Sequence, residues 1–172
     1  MRKNKTQASA YDTALDYLTY KARTVREMEN RLDEGDYSEI EIMQTVERLI
    51  NNGLLDDRKY AADFIESRLN TKPVSRNKLR EQLEGHFVPS DIISEALSEV
   101  SDEIEYANAE RVAEKYFRQF SSLELSERLR RVGLRLASRG YTYDCIKQVL
   151  SELTERIDEE PDDEEFCDDD NE

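Results

Sequence analysis

Glycine and proline are scarce in this chain, five and three among 172 residues, so the turn density that a sandwich or barrel needs is missing. Leu, Glu, Arg, Ala and Lys are plentiful instead, a balance that favours helices. There is one histidine, His86, and there are two cysteines, Cys145 and Cys167. With so few ligands no structural zinc site can be assembled, and no nucleophile–histidine–carboxylate triad can be built around His86. His86 stands beside a predicted helix end, where an interaction with the last carbonyls is the expected role. Cys145 falls in an apolar helical pattern and Cys167 in an acidic stretch, so both read as free thiols of a reducing compartment. No phosphate-cradling glycine loop occurs, because the glycines stand singly at helix ends. The start, Met1-Arg2-Lys3-Asn4-Lys5, is basic and runs into Thr6-Gln7 with no apolar stretch behind it. Neither a secretory signal nor a membrane span is expected, and a cytoplasmic protein is.

What is abundant is acid. The net charge is −15, which argues against a simple nucleic-acid binder. The charge is uneven, however. Residues 154–172 hold 12 acids against Arg156 alone, leaving 28 acids and 24 bases for residues 1–153. That last stretch contains Pro161 and few apolar groups, so it reads as a disordered acidic tail. Its spacing lacks the D-x-D-x-D-G loop of an EF-hand.

The apolar residues recur at helical intervals in three copies of roughly 50 residues. The first copy shows Leu32, Gly35, Ser38, Ile42, Val46 and Leu49. The second shows Leu83, Gly85, Pro89-Ser90, Ile93, Leu97 and Val100, and the third Leu136, Gly140, Thr142, Ile146, Leu150 and Leu153. An earlier helix precedes each: Tyr11, Leu15 and Leu18; Tyr60, Phe64, Ile65 and Leu69; Val112, Tyr116, Phe117 and Phe120. Thr24-x-x-Glu27 and Ser38-x-x-Glu41 are capping boxes that open two helices, and Gly35, Gly85 and Gly140 are expected at positive φ where the chain folds back. Ile40, Met43, Tyr60 and Tyr116 are expected to pack internally.

The sequence therefore predicts an all-α fold, an elongated, curved array of three tandem three-helix repeats. The expected division is a basic arm 1–9, repeats 10–53, 54–100 and 101–153, and the tail 154–172. Single three-helix units have small cores, so neighbouring copies should bury each other's apolar stripes. An irregular helical bundle is the alternative.

Basic residues gather in two places. Arg128, Arg131, Arg135 and Arg139 follow at intervals of 3, 4 and 4, beside a stripe formed by Leu125, Leu129, Val132 and Leu136 that should face the core. Arg130 adds a fifth cation, and no acid intervenes between Glu127 and Asp144. Such a face can grip phosphates or carboxylates bidentately. A weaker patch comprises Arg68, Lys72, Arg76, Lys78 and Arg80. Solvated helix faces are the plainer account of both, and stacking aromatics are not interleaved with the arginines.

The segment from Gly53 to Leu69, GLLDDRKYAADFIESRL, resembles the signature of the RecX family. Gly53, Leu54, Leu55, Asp56 and Asp57 come in the family's order, Tyr60-Ala61 matches its aromatic–alanine pair, and Ser67-Arg68 matches its closing pair. Gly53 would end one helix, and Asp56 or Asp57 would cap the next. The resemblance covers residues 10–153, including Leu15-x-x-Leu18, Thr24-x-x-Glu27 and Lys78-Leu79-x-x-x-Leu83. It implies tandem three-helix repeats that bind the RecA recombinase filament in its groove and restrain recombinase and co-protease activity. A monomer without active site, metal or cofactor is expected. A direct single-stranded DNA module and a general protein scaffold are the rival readings. Two features depart from the family pattern: Glu84-Gly85-His86-Phe87 is less basic than usual, and the acidic tail is added.

Overall fold

The structure is a computed structural model that describes residues 8–159. Residues 1–7 of the arm and 160–172 of the acidic tail lie outside the described residues, whereas residues 154–159, expected in the disordered tail, continue the ninth helix. Among the described residues there are nine helices and no strand: α1 Ala10–Leu18, α2 Val25–Asp33, α3 Glu39–Asn51, α4 Asp57–Thr71, α5 Arg76–Gly85, α6 Ser90–Ser98, α7 Asp102–Gln119, α8 Leu125–Ser138 and α9 Tyr143–Glu159. The fold is an all-α tandem repeat of three-helix units.

Local chemistry explains where these helices begin. Glu27 N–H donates to Thr24 Oγ1 at 3.1 Å while Thr24 N–H donates to Glu27 Oε2 at 3.4 Å, which closes the first capping box. Ser38 and Glu41 close the second, and Asp56 Oδ1 accepts from the backbone N–H of Arg58 and Lys59 to open α4. Helix ends depart from the glycine rule. Gly53 at φ 67° and Gly140 at φ 85° take the left-handed conformation, whereas Gly35 and Gly85 do not. In their stead Asp36 at φ 59° and Phe87 at φ 61° make the reversal. After α5, Phe87 N–H donates to the Glu84 carbonyl at 2.9 Å and Val88 N–H to the Leu83 carbonyl at 3.1 Å, a Schellman closure. Aspartate tolerates the left-handed region through its short polar side chain. Phenylalanine does not, and it remains 55% exposed there.

Each three-helix unit has its own apolar cluster. Met28, Leu32, Val46, Leu49 and Leu55 form the first, Ala61, Ile65, Leu79, Leu83, Ile93 and Leu97 the second, and Ala109, Val112, Val132, Leu136, Tyr141 and Val149 the third. On α9 Leu153 is buried and Ile146 and Leu150 pack half-buried against the third cluster, as the apolar spacing predicts, and the fully buried Val149 joins that face beside them. Leu125 is at the edge of exposure, so the buried stripe of α8 is Val132 and Leu136 with Leu129 half-buried. Ile40 and Met43 are 64% and 62% exposed, contrary to the packing role expected of them. On α3 the inward face is Thr45, Val46 and Leu49, and Met43 instead lines a groove of about 640 Å³ between α2 and α3.

The described residues form two compact units, divided in sequence between Ser101 and Asp102. The first contains both leading repeats, joined by a polar seam. The Thr24 hydroxyl, itself fully buried, donates to the His86 carbonyl at 2.8 Å. His86 Nδ1 lies 2.9 Å from Glu27 Oε1, and because a carboxylate can only accept, Nδ1 carries the proton. Tyr60 and Phe64 pack edge-on against the same imidazole. The histidine ring thus engages a neighbouring repeat rather than the carbonyls of its own helix. Across the same seam, Asp57 Oδ1 accepts the Val25 backbone N–H at 2.9 Å, one of the free donors at the start of α2. Burial, followed by the nearby carboxylates of Asp56, Glu27 and Glu29, raises the Asp57 carboxyl above its ordinary value, and the Val25 bond opposes that shift in part. The two consecutive aspartates therefore do different work, Asp56 capping α4 and Asp57 reaching back to α2.

Candidate functional site

Arg128, Arg131 and Arg135 lie within α8 and share one side of it as their spacing requires, Arg139 is its C-cap residue, and Arg130 stands next to Arg131 farther round the helix. They are not equivalent. Arg128 is half-buried: its guanidinium lies 3.3 Å over the Phe117 ring and its Nε donates to the Phe117 carbonyl at 2.6 Å. That residue ties α8 to α7 and is held back from any partner. Arg139 Nη2 donates to the Tyr116 hydroxyl at 3.0 Å, and Arg135 lies 5.5 Å from the centre of the same ring. The Arg139 bond, aided by the charges of Arg135 and Lys115, holds the Tyr116 phenol below its ordinary value.

The exposed members are Arg130, Arg131 and Arg135. Glu127 serves two of them: its carboxylate accepts from Arg130 Nε at 2.7 Å and Nη2 at 2.9 Å, and from Arg131 Nε at 2.7 Å. These bonds hold the Glu127 carboxyl down at about 2 from its usual 4.5. Because the folded value is depressed, its stabilising effect is present above pH 4.5 and is lost as pH falls from there through about 2. At neutral pH the face therefore carries a fixed charge: five arginines against one carboxylate between residues 127 and 143. Leu134, 56% exposed, lies one turn beyond Arg130 and Arg131 among these cations. Sequence spacing found the stripe, but it gave no sign that Glu127 bridges two members or that Phe117 and Tyr116 restrain the others.

The second basic group lies on α4 and α5 in the first compact unit. Arg68 is exposed and stacks 4.9 Å over the Phe64 ring, Lys72 is exposed at the end of α4, and Arg76 and Arg80 are half-buried one turn apart on α5. Arg80 Nη1 donates to Ser94 Oγ at 3.4 Å and Lys78 pairs with Glu81 at 2.6 Å. Of the signature residues, Leu55 and Ala61 are core, Leu54 is 46% exposed, and Gly53, Asp56 and Asp57 shape the turn and the seam. Tyr60 and Phe64 pack on the second cluster, as the helical spacing predicts. No helix among the described residues is long and apolar enough to cross a membrane, and none of them form a group of three or more metal-ligating side chains.

Comparison with known proteins finds similarity along most of the chain. Family models described as the first, second and third three-helix domains of RecX match residues 10–49, 56–97 and 102–150. A Limosilactobacillus reuteri (strain DSM 20016) protein named Regulatory protein RecX is 28% identical over 152 residues, 88% of this chain and 58% of that one. The Prosthecochloris aestuarii protein of the same name is 31% identical over 144 residues, covering 84% and 93% respectively. The chain thus spans less than two thirds of the L. reuteri relative but nearly all of the P. aestuarii one. Among solved structures, the crystal structure of RecX from Lactobacillus salivarius superposes with a TM-score of 0.80 at 26% identity, over 84% of this chain and 94% of that one.

Proposed function

Since this chain belongs to the RecX family, we propose that it is a regulator of the RecA recombinase, binding RecA and its filament on single-stranded DNA and restraining recombinase and co-protease activity. It acts by occupancy of the filament groove as a cytoplasmic monomer, without a cofactor and without chemistry of its own. The observation that carries this reading is the outer face of α8, where Arg130, Arg131 and Arg135 stand exposed on a helix pinned to α7 by Arg128. Guanidinium forks held on a rigid element pair bidentately with carboxylates or phosphates at small entropic cost. Arg139 borders that face, and Arg68, Lys72, Arg76 and Arg80 supply a second, weaker contact.

Co-sedimentation with RecA assembled on single-stranded DNA, set against the naked strand over a salt series, tests the proposal. Retention by the filament well above that by the strand is expected. Equal retention with a steep salt slope would instead identify a direct DNA-binding module.

The shared carboxylate of Glu127 makes a second result predictable. Glu127→Gln removes the one negative charge that offsets Arg130 and Arg131, so filament binding should tighten roughly threefold at low salt. The gain should vanish near 0.5 M salt by the same screening argument. Binding that is unchanged or weaker at low salt would mean that these two arginines do not meet an anionic surface.

A further inference from the structure

We propose that the acidic segment 160–172 folds back onto the arginine face of α8 and occupies it until a stronger anionic partner displaces it. Residues 160–172 hold nine acids and no base, with Phe166 and Cys167 standing between two acidic runs. The α8 face has the complementary arrangement, with Arg130, Arg131 and Arg135 around the exposed Leu134. Charge can pair along the length while Phe166 covers the leucine.

The place where α9 ends supports this occupant. Arg156, in the last turns of α9, pairs with Glu110 at 3.0 Å and Glu114 at 3.3 Å, both on α7. Three residues beyond Glu114 is Phe117, whose carbonyl receives Arg128 at the start of α8. One stretch of α7 therefore gathers the point from which the tail departs and the point where the arginine face begins. Reach is ample: thirteen extended residues span roughly 43–47 Å, whereas the fourteen of α8 rise about 21 Å. Contact with a second copy would be intermolecular and weaker, because a segment tethered this closely has an effective concentration in the millimolar range.

The fold-back contact itself needs no partner; its regulatory consequence rests on the reading that this face engages the RecA filament. In that case the tail competes with the filament and makes binding weaker at low salt than the arginines alone would allow.

The test uses the full chain with Cys145→Ser and a nitroxide on Cys167, recording amide signal attenuation by NMR. At about 50 mM salt the amides of residues 128–138 should lose about half their intensity or more, and at about 500 mM they should recover. Arg131→Glu with Arg135→Glu should abolish the loss. Attenuation confined to other elements, or none, would overturn the proposal. So would equal attenuation in a mixture where label and isotope sit on different molecules, since that identifies a contact between copies. As a check independent of the cysteine change, neutralising every acid of 160–172 to its amide should shift the α8 amides. If α8 stays unmoved, the fold-back is excluded.

Discussion

Reversing two charges, Arg131→Glu with Arg135→Glu, should weaken retention by the RecA filament roughly a hundredfold, an estimate of about 1.4 kcal/mol for each desolvated guanidinium pair. Both side chains are exposed on a helix whose inward face is Val132 and Leu136, so the substitutions leave the core untouched. Glutamate has nearly arginine's helix propensity, and the two new like-charge contacts at i,i+4, one with Glu127 and one between positions 131 and 135, cost only a few tenths of a kcal/mol each. Circular dichroism and the unfolding midpoint should accordingly change little. The control is Arg118→Glu, another exposed arginine in the same unit, on α7. It should cost far less binding than the double reversal. If the double variant were retained as well as the parent, α8 would not be the contact. If control and double variant lost affinity equally, the effect would be one of net charge.

The second large effect concerns stability. Thr24→Val keeps the shape of a fully buried side chain and removes its hydroxyl, which both caps α2 and donates to the His86 carbonyl. Loss of the cap costs about 1–2 kcal/mol. The buried carbonyl left without its donor adds a further 1–3 kcal/mol at most, since the two losses share one group and do not add fully. A net destabilisation of roughly 2–3 kcal/mol is expected for the first compact unit, read from denaturant midpoints. Hydrogen exchange should quicken together at α2 and at the end of α5, because one hydroxyl serves both. Thr24→Ser, which keeps the donor and acceptor, should recover most of the loss. A valine variant as stable as the parent would show that the seam depends on Asp57 and Glu27 instead.

Much of this architecture can be read directly from residue spacing. The capping boxes at Thr24 and Ser38 are purely local devices, and the structure forms both where the motifs stand. The arginine run needed only a period of 3.6 to be recognised as one face. Interactions that cross between elements were invisible, because nothing in a linear pattern says that Asp57 will reach Val25 or that Glu27 will hold His86. Positive φ was misassigned at Gly35 and Gly85 for a related reason. Glycine relieves a left-handed turn but does not oblige one, and the hydrogen bonds closing each helix put the reversal on Asp36 and Phe87. Apolar character likewise failed for Ile40 and Met43, which lie on α3 away from its inward stripe of Thr45, Val46 and Leu49.

Arg156 bonds α9 to two turns of α7, and a fixed anchorage has a kinetic meaning. A leash held at a stationary point samples a small volume, so its closing rate is set by its own length and not by encounter in solution. Lengthening it by inserted Gly-Ser residues should dilute the leash end as roughly the −3/2 power of length, whereas removing the exposed Arg156 pairs should change little, because the buried Val149 and Leu153 keep α9 in place. The same acidic composition would then act as a brake of adjustable strength, tuned by geometry alone.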